Sequence, residues 1–170
     1  MQSLSQFMLT LVSANAKYDR VKRGADTFST REAKGYVQFK ANCGACHTEP
    51  LFTNGQFENN GLAVDASLGD KGRSKITGRA TDSLKFKVPT LRNIEVTSPY
   101  IHDGRFRNLQ MVLFQYAQNV HESATLSDKL RKKMQLSEQD KGDIIQFLKT
   151  LTDEEFIKNK KFEFVANSKV

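Results

Sequence analysis

The chain has 170 residues, of which 38% are hydrophobic and 26% charged, and its formal net charge is +7. This length is typical of one domain, and the apolar content is enough for a folded core, which excludes wholesale disorder. A transmembrane helix is excluded because no run of about 18 apolar residues occurs, and the two cysteines are too few for a disulfide framework.

The hydrophobic pattern predicts helices at both ends of the chain and an irregular middle. Apolar residues at three- and four-residue spacing predict an amphipathic helix over 3–13. Ser29 or Thr30 as cap, with Glu32 in the first turn, predicts a second helix that ends directly before the cysteines. Ser137, with Asp140 three residues later, predicts the cap of a helix over 138–151. Residues 48–97 show little periodicity, and a loop of about fifty residues is normally functional or ordered by something that it wraps. Further helical segments are predicted over 108–120, 126–134, 138–151 and 152–155. No internal repeat is evident.

The string C-G-A-C-H at Cys43–His47 is the strongest chemical signal in the chain. The pattern C-x-x-C-H is the attachment signature of c-type haem. Both thiols form thioethers to the haem vinyl groups, and the adjacent His47 ligates the iron. The alternatives are a dithiol redox site, a zinc site completed by His102 or His121, and buried inert thiols. Haem is favoured because it also explains the long irregular middle.

Covalent haem attachment of this kind normally takes place outside the cytoplasm, so the motif predicts a periplasmic protein. The first residues contain no basic n-region, and Ser5 and Gln6 interrupt their apolar stretch, so they do not form an export signal. We therefore expect that a leader or an N-terminal part has been removed from this chain.

Several other strings are distinctive. They are L-V-S-A-N-A-K-Y-D-R at 11–20, T-E-P-L-F at 48–52, D-K-G-R at 70–73, K-V-P-T-L-R-N-I at 87–94, T-S-P-Y-I-H-D-G at 97–104 and the helical segment 136–151. Together with the haem motif they resemble the bacterial diheme cytochrome c peroxidases, a family that includes the MauG-type enzymes. The resemblance covers residues 4–157.

The resemblance implies a mainly α fold, a cytochrome c-like haem domain with long haem-wrapping loops. Residues 1–28 would be an N-terminal helix and linker that pack on the domain, with Tyr18 and Asp19 as interdomain or linker contacts. Residues 29–157 would be the c-type haem domain and residues 158–170 a basic C-terminal tail. Only the C-terminal, electron-transfer domain would be represented, without the N-terminal domain that carries its own C-x-x-C-H and the peroxide-binding haem.

The resemblance also assigns ligands residue by residue. Cys43 and Cys46 would be the thioether cysteines and His47 the proximal iron ligand. Thr97 and Pro99 match positions whose backbone carbonyls bind calcium between the two domains, and hard cations accept such oxygens. The remaining protein ligand of the calcium would come from the missing domain.

Three further residues are candidates for contacts with haem. The guanidinium of Arg92 suits a bidentate contact with a haem propionate, and Arg73 is a second candidate. His102 is a candidate for a hydrogen bond near the haem, with a purely structural histidine as the alternative. For both arginines the alternative is a solvated surface side chain. No residue of this chain is assigned a catalytic role.

The distal iron ligand is expected to be Tyr116. Family peroxidases commonly place a methionine fourteen residues after the histidine of P-Y-x-H, and counting from His102 this position is Tyr116. MauG-type enzymes place a tyrosine ligand there. Met111 is the alternative, but it lies on the flank of the apolar stripe that should face the haem.

Three functions compete. The first is the electron-transfer half of a cytochrome c peroxidase, which passes electrons to a second haem that reduces hydrogen peroxide to water. The second is a MauG-type oxidase acting on a protein or organic substrate, and the third is a stand-alone monohaem carrier. The expected partners are the N-terminal haem domain and a small electron donor of cytochrome c or cupredoxin type; a homodimer is left open, and no nucleic acid or membrane span is expected.

Overall fold

The computed structural model describes residues 2–163, which form a mainly helical domain with little sheet, as predicted. Its helices are α1 (Gln2–Thr10), α2 (Lys17–Lys22), α3 (Thr30–Asn42), α4 (Ser74–Thr77), α5 (Leu109–Gln118), α6 (Glu138–Lys149) and α7 (Glu154–Ile157). Short 3₁₀ helices span Ala80–Asp82, Ile94–Val96, Asp128–Leu130 and Lys160–Phe162. The strands β1 (Phe57–Glu58) and β2 (Phe86–Lys87) form an antiparallel ribbon in which Phe57 pairs with Lys87 and Glu58 with Phe86.

Capping boxes start the two long helices, as their sequences predict. In α3 the Glu32 N–H donates to the Ser29 hydroxyl (3.3 Å) and the Ser29 N–H donates to the Glu32 carboxylate (2.6 Å). Ser137 and Asp140 repeat this arrangement in α6, at 3.1 and 3.0 Å. These bonds satisfy N–H groups that a helix start otherwise leaves without partners.

The core lies where α3 packs against α6, with α5 also in contact with α6. Gly35 allows the first pair to approach closely, since a β carbon there would lie 1.9 Å from the Asp143 carbonyl oxygen. Arg31 on α3 donates to the Asp143 carboxylate (2.7 Å) at the same interface. The core residues are Tyr18, Phe39, Phe52, Leu91, Leu109, Leu113, Ile144, Ile145, Phe147, Leu148 and Leu151.

The short helix α2 was not predicted, yet it contributes Tyr18 to this core. The Tyr18 ring lies 4.8 Å from the Phe52 ring and 6.3 Å from the Phe147 ring, both edge to face. Its neighbour Asp19 forms an ion pair with Arg92. Both residues therefore contact the segment that the sequence assigns to the haem domain.

The helix predicted over 126–134 is wrong. Only a 3₁₀ turn, Asp128–Leu130, forms there. Leu126 forms a parallel bridge with Asn59, and the Ser127 N–H donates to the Asn59 carbonyl (3.1 Å). These contacts hold the start of the segment in an extended conformation, so it cannot form the predicted helix.

The first helix, α1, has no buried residue within the described chain, and it ends at Thr10, three residues before the predicted end. Its sequence nevertheless matches α6, because residues 6–12 (Q-F-M-L-T-L-V) and 146–152 (Q-F-L-K-T-L-T) share Gln, Phe, Thr and Leu at the same spacing. In both segments the threonine hydroxyl donates to the phenylalanine carbonyl at 2.6 Å. Leu4, Phe7, Met8 and Leu11 correspond to Ile144, Phe147, Leu148 and Leu151.

The sequence analysis missed this internal repeat because it is only seven residues long, about two helical turns. Its two copies differ in environment: Phe147 and Leu151 are fully buried, whereas Phe7 and Leu11 are 47% and 40% exposed. One copy thus lies in the core while the apolar face of the other stays largely open among the described residues.

The remaining segments follow the sequence prediction broadly. Residues 48–97 hold only the ribbon and short helical turns. The predicted tail begins with the Lys160–Phe162 turn, where the Phe162 ring lies 6.2 Å from the Phe7 ring. Met1 and residues 164–170 lie outside the described residues. Across residues 2–163, no helix has the length and apolar character needed to cross a membrane.

Candidate haem-attachment site

The C-x-x-C-H residues lie where α3 ends. Cys43 caps the helix by donating its N–H to the Phe39 carbonyl (2.7 Å). The backbone then turns, because the N–H groups of Cys46 and His47 both donate to the Cys43 carbonyl, at 3.1 and 2.9 Å. Both thiols are free and partly buried, so neither is engaged in a disulfide.

Burial disfavours the thiolate form of both cysteines. It raises the pKa of Cys43 to about 12, and it also raises the pKa of Cys46, although nearby Lys129 opposes this shift. A reactive redox dithiol requires a lowered thiol pKa instead. A zinc site needs further ligands, and no group of three or more His, Cys, Asp or Glu side chains within residues 2–163 is arranged to hold a metal ion. Both alternatives are therefore disfavoured.

The imidazole of His47 is held in one tautomer. Its Nδ1 lies 3.0 Å from the carbonyl oxygen of Phe52, and because a carbonyl only accepts, Nδ1 carries the proton. Burial lowers the pKa of His47, with the Phe52 and Pro89 carbonyls opposing the shift. A neutral ring protonated at Nδ1 leaves the lone pair on Nε2, which is the form a metal ligand requires.

Tyr116 on α5 lies within electrostatic reach of both cysteines. Burial raises the pKa of its phenol to about 12, a hydrogen bond with the Asn60 side chain lowers it, and the two thiols raise it further. Met111 on the same helix is 42% exposed and lines an open groove beside Phe114. The structure thus brings Tyr116 to the cysteines and leaves Met111 at the surface.

These residues fit a covalently held haem. Two free thiols on one turn can form the two thioethers, and a neutral imidazole with Nε2 available can ligate iron. The phenol of Tyr116 can supply oxygen as the second protein ligand to iron. Two thiols for covalent attachment, with one nitrogen and one oxygen to ligate iron, match the cofactor that the motif predicts.

Arg92 already has a carboxylate partner inside the chain. Its guanidinium donates to both Asp19 oxygens, at 2.6 and 2.8 Å, and twice to the Pro50 carbonyl, at 3.2 and 2.8 Å. Four of its five N–H donors are therefore in use. The expected bidentate contact with a haem propionate would have to break one of these bonds.

Arg73 and His102 lie on either side of the β-ribbon. The Arg73 guanidinium lies 4.0 Å from the centre of the Phe57 ring and 3.6 Å from the Asp82 carboxylate. The His102 ring stacks on Phe86 at 3.7 Å between ring centres and lines a small cleft with Asp70, Asp103 and Arg105. Burial lowers the pKa of His102, with Asp103 and Asp70 opposing the shift. Their haem contacts remain predictions.

The predicted calcium ligands lie in an exposed loop between the Ile94–Val96 turn and α5. The Thr97 hydroxyl donates to the Ile94 carbonyl (3.2 Å), and the Ser98 hydroxyl donates to the Arg107 carbonyl (2.9 Å). Thr97 and Pro99 are both exposed. The assignment of calcium to their carbonyls remains a prediction.

Sequence reasoning missed four residues that surround the motif. Phe52 supplies the carbonyl for His47 from a left-handed backbone (φ 54°), which the identity of a phenylalanine does not signal. Asn60 contacts Tyr116, and Lys129 contacts Cys46 while donating to Glu58 (2.6 Å). Asn60 precedes Gly61, and this Asn-Gly pair predicts a turn but not the contact with Tyr116. The ion pair Glu58–Lys129 joins residues distant in sequence, so no local pattern predicts it.

His121, the other histidine considered for a zinc site, is exposed. Arg131 donates to Asp128 (2.9 Å) and to Glu122 (3.2 Å) on the surface.

The chain is similar to proteins of known type over most of its length. It is 34% identical over 157 residues to the methylamine utilization protein MauG of Methylorubrum extorquens, covering 89% of this chain and 43% of that protein. It is 30% identical over 157 residues to the cytochrome c551 peroxidase of Nitrosomonas europaea, covering 90% and 44%. No protein-family model matches the chain.

A solved structure shares the fold. A MauG-like protein associated with microbial copper homeostasis superposes with a TM-score of 0.79 at 31% identity, covering 88% of this chain and 55% of that one. The chain therefore spans about half the length of the proteins that it matches.

Proposed function

Because the chain belongs, over nearly its whole length, to the family of MauG and the bacterial cytochrome c peroxidases, we propose that it is the electron-transfer haem domain of a diheme oxidoreductase. Cys43 and Cys46 would bind haem c through thioethers, and His47 would ligate the iron through Nε2. When bound, the haem supplies reversible one-electron chemistry. The observation that carries the proposal is the bond between His47 Nδ1 and the Phe52 carbonyl, which prepares the imidazole for iron.

A second haem unit is the proposed partner. The chain spans 43% and 44% of the MauG and peroxidase sequences above, which leaves room for another domain of similar size. The α1 repeat supports this idea, because a copy of the core helix α6 stands with its apolar face largely open. We propose that α1 is the terminal helix of a second cytochrome c-like unit, the rest of which would cover this apolar face.

The proposed reaction is reduction of hydrogen peroxide to water at the second haem, with electrons passing through this domain from a small donor protein. No residue of this chain is proposed to touch peroxide. The role of this domain would be to hold the haem through Cys43 and Cys46, to exclude water from it and to ligate its iron through His47. The 170-residue chain alone is accordingly expected to turn over peroxide poorly.

Tyr116 favours a second candidate, a MauG-type oxidase that withdraws electrons from a protein or organic substrate. A phenolate oxygen stabilises ferric and higher oxidation states, whereas a thioether favours ferrous iron. A tyrosine-ligated haem therefore suits the storage of oxidising equivalents better than the relay of electrons at high potential. We propose the periplasm as the compartment and, with the other domain present, calcium at the Thr97 and Pro99 carbonyls.

The test is to translate the reading frame upstream of codon 1 and to produce the longest natural chain in a host with a periplasmic haem-maturation system. A second C-x-x-C-H upstream, two haems per chain and peroxide turnover far above that of the 170-residue chain are expected. One haem and no upstream motif would favour the monohaem carrier. Two haems with no peroxide turnover, but with oxidation of an added electron-rich substrate, would favour the MauG-type reading.

A further inference from the structure

Side chains of the segment Pro89–Arg92 (P-T-L-R) hydrogen-bond to the backbone of the loop that follows the haem motif. The Thr90 hydroxyl donates to the Leu51 carbonyl at 2.6 Å. Arg92 donates to the Pro50 carbonyl at 2.8 and 3.2 Å. Two consecutive carbonyls directly before Phe52 are therefore held by side chains of one distant segment.

The loop after the haem motif also donates a hydrogen bond in the opposite direction, to the residue directly before Pro89. The Thr53 hydroxyl donates to the Val88 carbonyl at 2.6 Å. Phe52, between these bonds, is fully buried and holds a left-handed backbone (φ 54°). A non-glycine residue in that region is strained and persists only where its surroundings fix it. The bonds on both sides of Phe52 provide that fixation.

The Arg92 side chain is in turn locked from α2. Asp19 accepts two bonds from it, at 2.6 and 2.8 Å, and the two side chains are only 10% and 11% exposed. Such a buried, bidentate pair fixes the plane of the guanidinium as well as its position. One continuous path of bonds thus runs from Asp19 through Arg92 and Pro50 to the Phe52 carbonyl and His47.

We infer that Thr90 and Arg92 are positioning residues for the proximal histidine: they aim the Phe52 carbonyl at His47 Nδ1. This inference rests on the proposed haem site and gives Arg92 a role other than the expected propionate contact. A strong Nδ1–H bond to a carbonyl makes the imidazole a better electron donor to a metal on Nε2. Loosening this bond should therefore favour the reduced iron and raise the midpoint potential.

The test uses the haem-loaded chain with three threonine variants. Thr90→Val removes the hydroxyl while keeping the shape, and Thr90→Ser keeps the hydroxyl. Thr10→Val is the matched control, since Thr10 makes the same type of bond to a backbone carbonyl at 2.6 Å on α1, away from the site. The readouts are the midpoint potential and the solvent exchange of the His47 Nδ1 proton by NMR.

Thr90→Val is expected to raise the potential and to speed exchange of the Nδ1 proton, with Thr90→Ser and Thr10→Val close to the parent. Arg92→Lys, which keeps the charge but loses the planar fork, is expected to change both readouts in the same direction, and it serves if Thr90→Val does not fold. Unchanged potential and exchange in both Thr90→Val and Arg92→Lys would overturn the inference.

A propionate role gives a different result. If Arg92→Lys changes only the pH dependence of the potential while Thr90→Val leaves the Nδ1 proton unchanged, Arg92 acts on a propionate and the inference is wrong. A parent chain that takes up no haem would instead contradict the proposed function. Failure of the positioning inference can therefore be distinguished from failure of the proposed function.

Discussion

Phe7 and Phe147 occupy equivalent positions in two copies of one helical segment, yet Phe147 is fully buried while Phe7 is 47% exposed. Phe147 contacts the rings of Tyr36, Phe39 and Phe52 in the core. Phe147→Ala should therefore lower the free energy of unfolding by about 3–5 kcal/mol. Phe7→Ala should change it by less than about 0.5 kcal/mol, as at an ordinary surface position.

Denaturant unfolding of the haem-loaded chain measures both values. Equal destabilisation by the two variants would show that α1 is part of this core. If a second haem unit covers α1, as proposed, Phe7→Ala should become as costly as Phe147→Ala when that unit is present.

The contact between α3 and α6 predicts that two glycines at the interface differ in how well they tolerate replacement by alanine. Gly35→Ala would place a β carbon 1.9 Å from the Asp143 carbonyl, so the helices must move apart and the variant should be strongly destabilised or fail to retain haem. Gly142→Ala is the matched control on α6, because its β carbon would meet a side-chain nitrogen of Arg31 at 3.0 Å and no backbone atom within 4 Å. Haem retention and thermal stability that are equal in both variants would refute the close packing.

The same interface predicts a pH dependence. The Arg31 guanidinium and then Gln139 hold the pKa of the buried Asp143 below its usual value. A lowered folded-state pKa stabilises the protein above the ordinary aspartate pKa of about 4, and this stabilisation is lost as pH falls through the folded-state pKa.

Arg31→Gln should therefore lower the melting temperature by a few degrees at pH 7, and by less at acidic pH, once the pH falls through the folded-state pKa of Asp143. Arg131→Gln, which removes an exposed pair with Glu122 and Asp128, should have little effect at either pH. The linkage would be wrong if the difference in melting temperature between Arg31→Gln and the parent stayed the same as the pH is lowered.

The axial ligand is tested by paired substitutions on α5. Tyr116→Phe should abolish a phenolate-to-iron charge-transfer band and raise the midpoint potential, because an anionic oxygen ligand is lost. Met111→Leu should leave both unchanged, since Met111 is an exposed side chain. The opposite pattern, in which only Met111→Leu alters the spectrum and the potential, would identify Met111 as the ligand.

Local patterns were enough to predict the parts of the fold that local physics determines. The capping boxes at Ser29 and Ser137 depend on residues three apart, and both helices begin where the sequence predicts. The haem motif is likewise contiguous, so its three residues could be proposed from spacing alone. The cytochrome c-like fold class came from the family resemblance.

The parts that failed depend on contacts distant in sequence. The extended start of the segment after Thr125 is set by Asn59, and the environment of Arg92 is set by Asp19, 73 residues away. The left-handed backbone of Phe52 has no sequence signal, because its cause lies in Thr90 and Arg92. Such long-range hydrogen bonds override local propensity and cannot be derived from periodicity.

The central claim, covalent haem at Cys43 and Cys46, is tested most directly by intact-protein mass spectrometry of the chain produced with a haem-maturation system. We predict that the chain gains the mass of one haem, which survives denaturation, and that the double variant Cys43→Ala/Cys46→Ala gains none. An unmodified mass for the parent, in a host where a control c-type cytochrome is fully matured, would contradict the account.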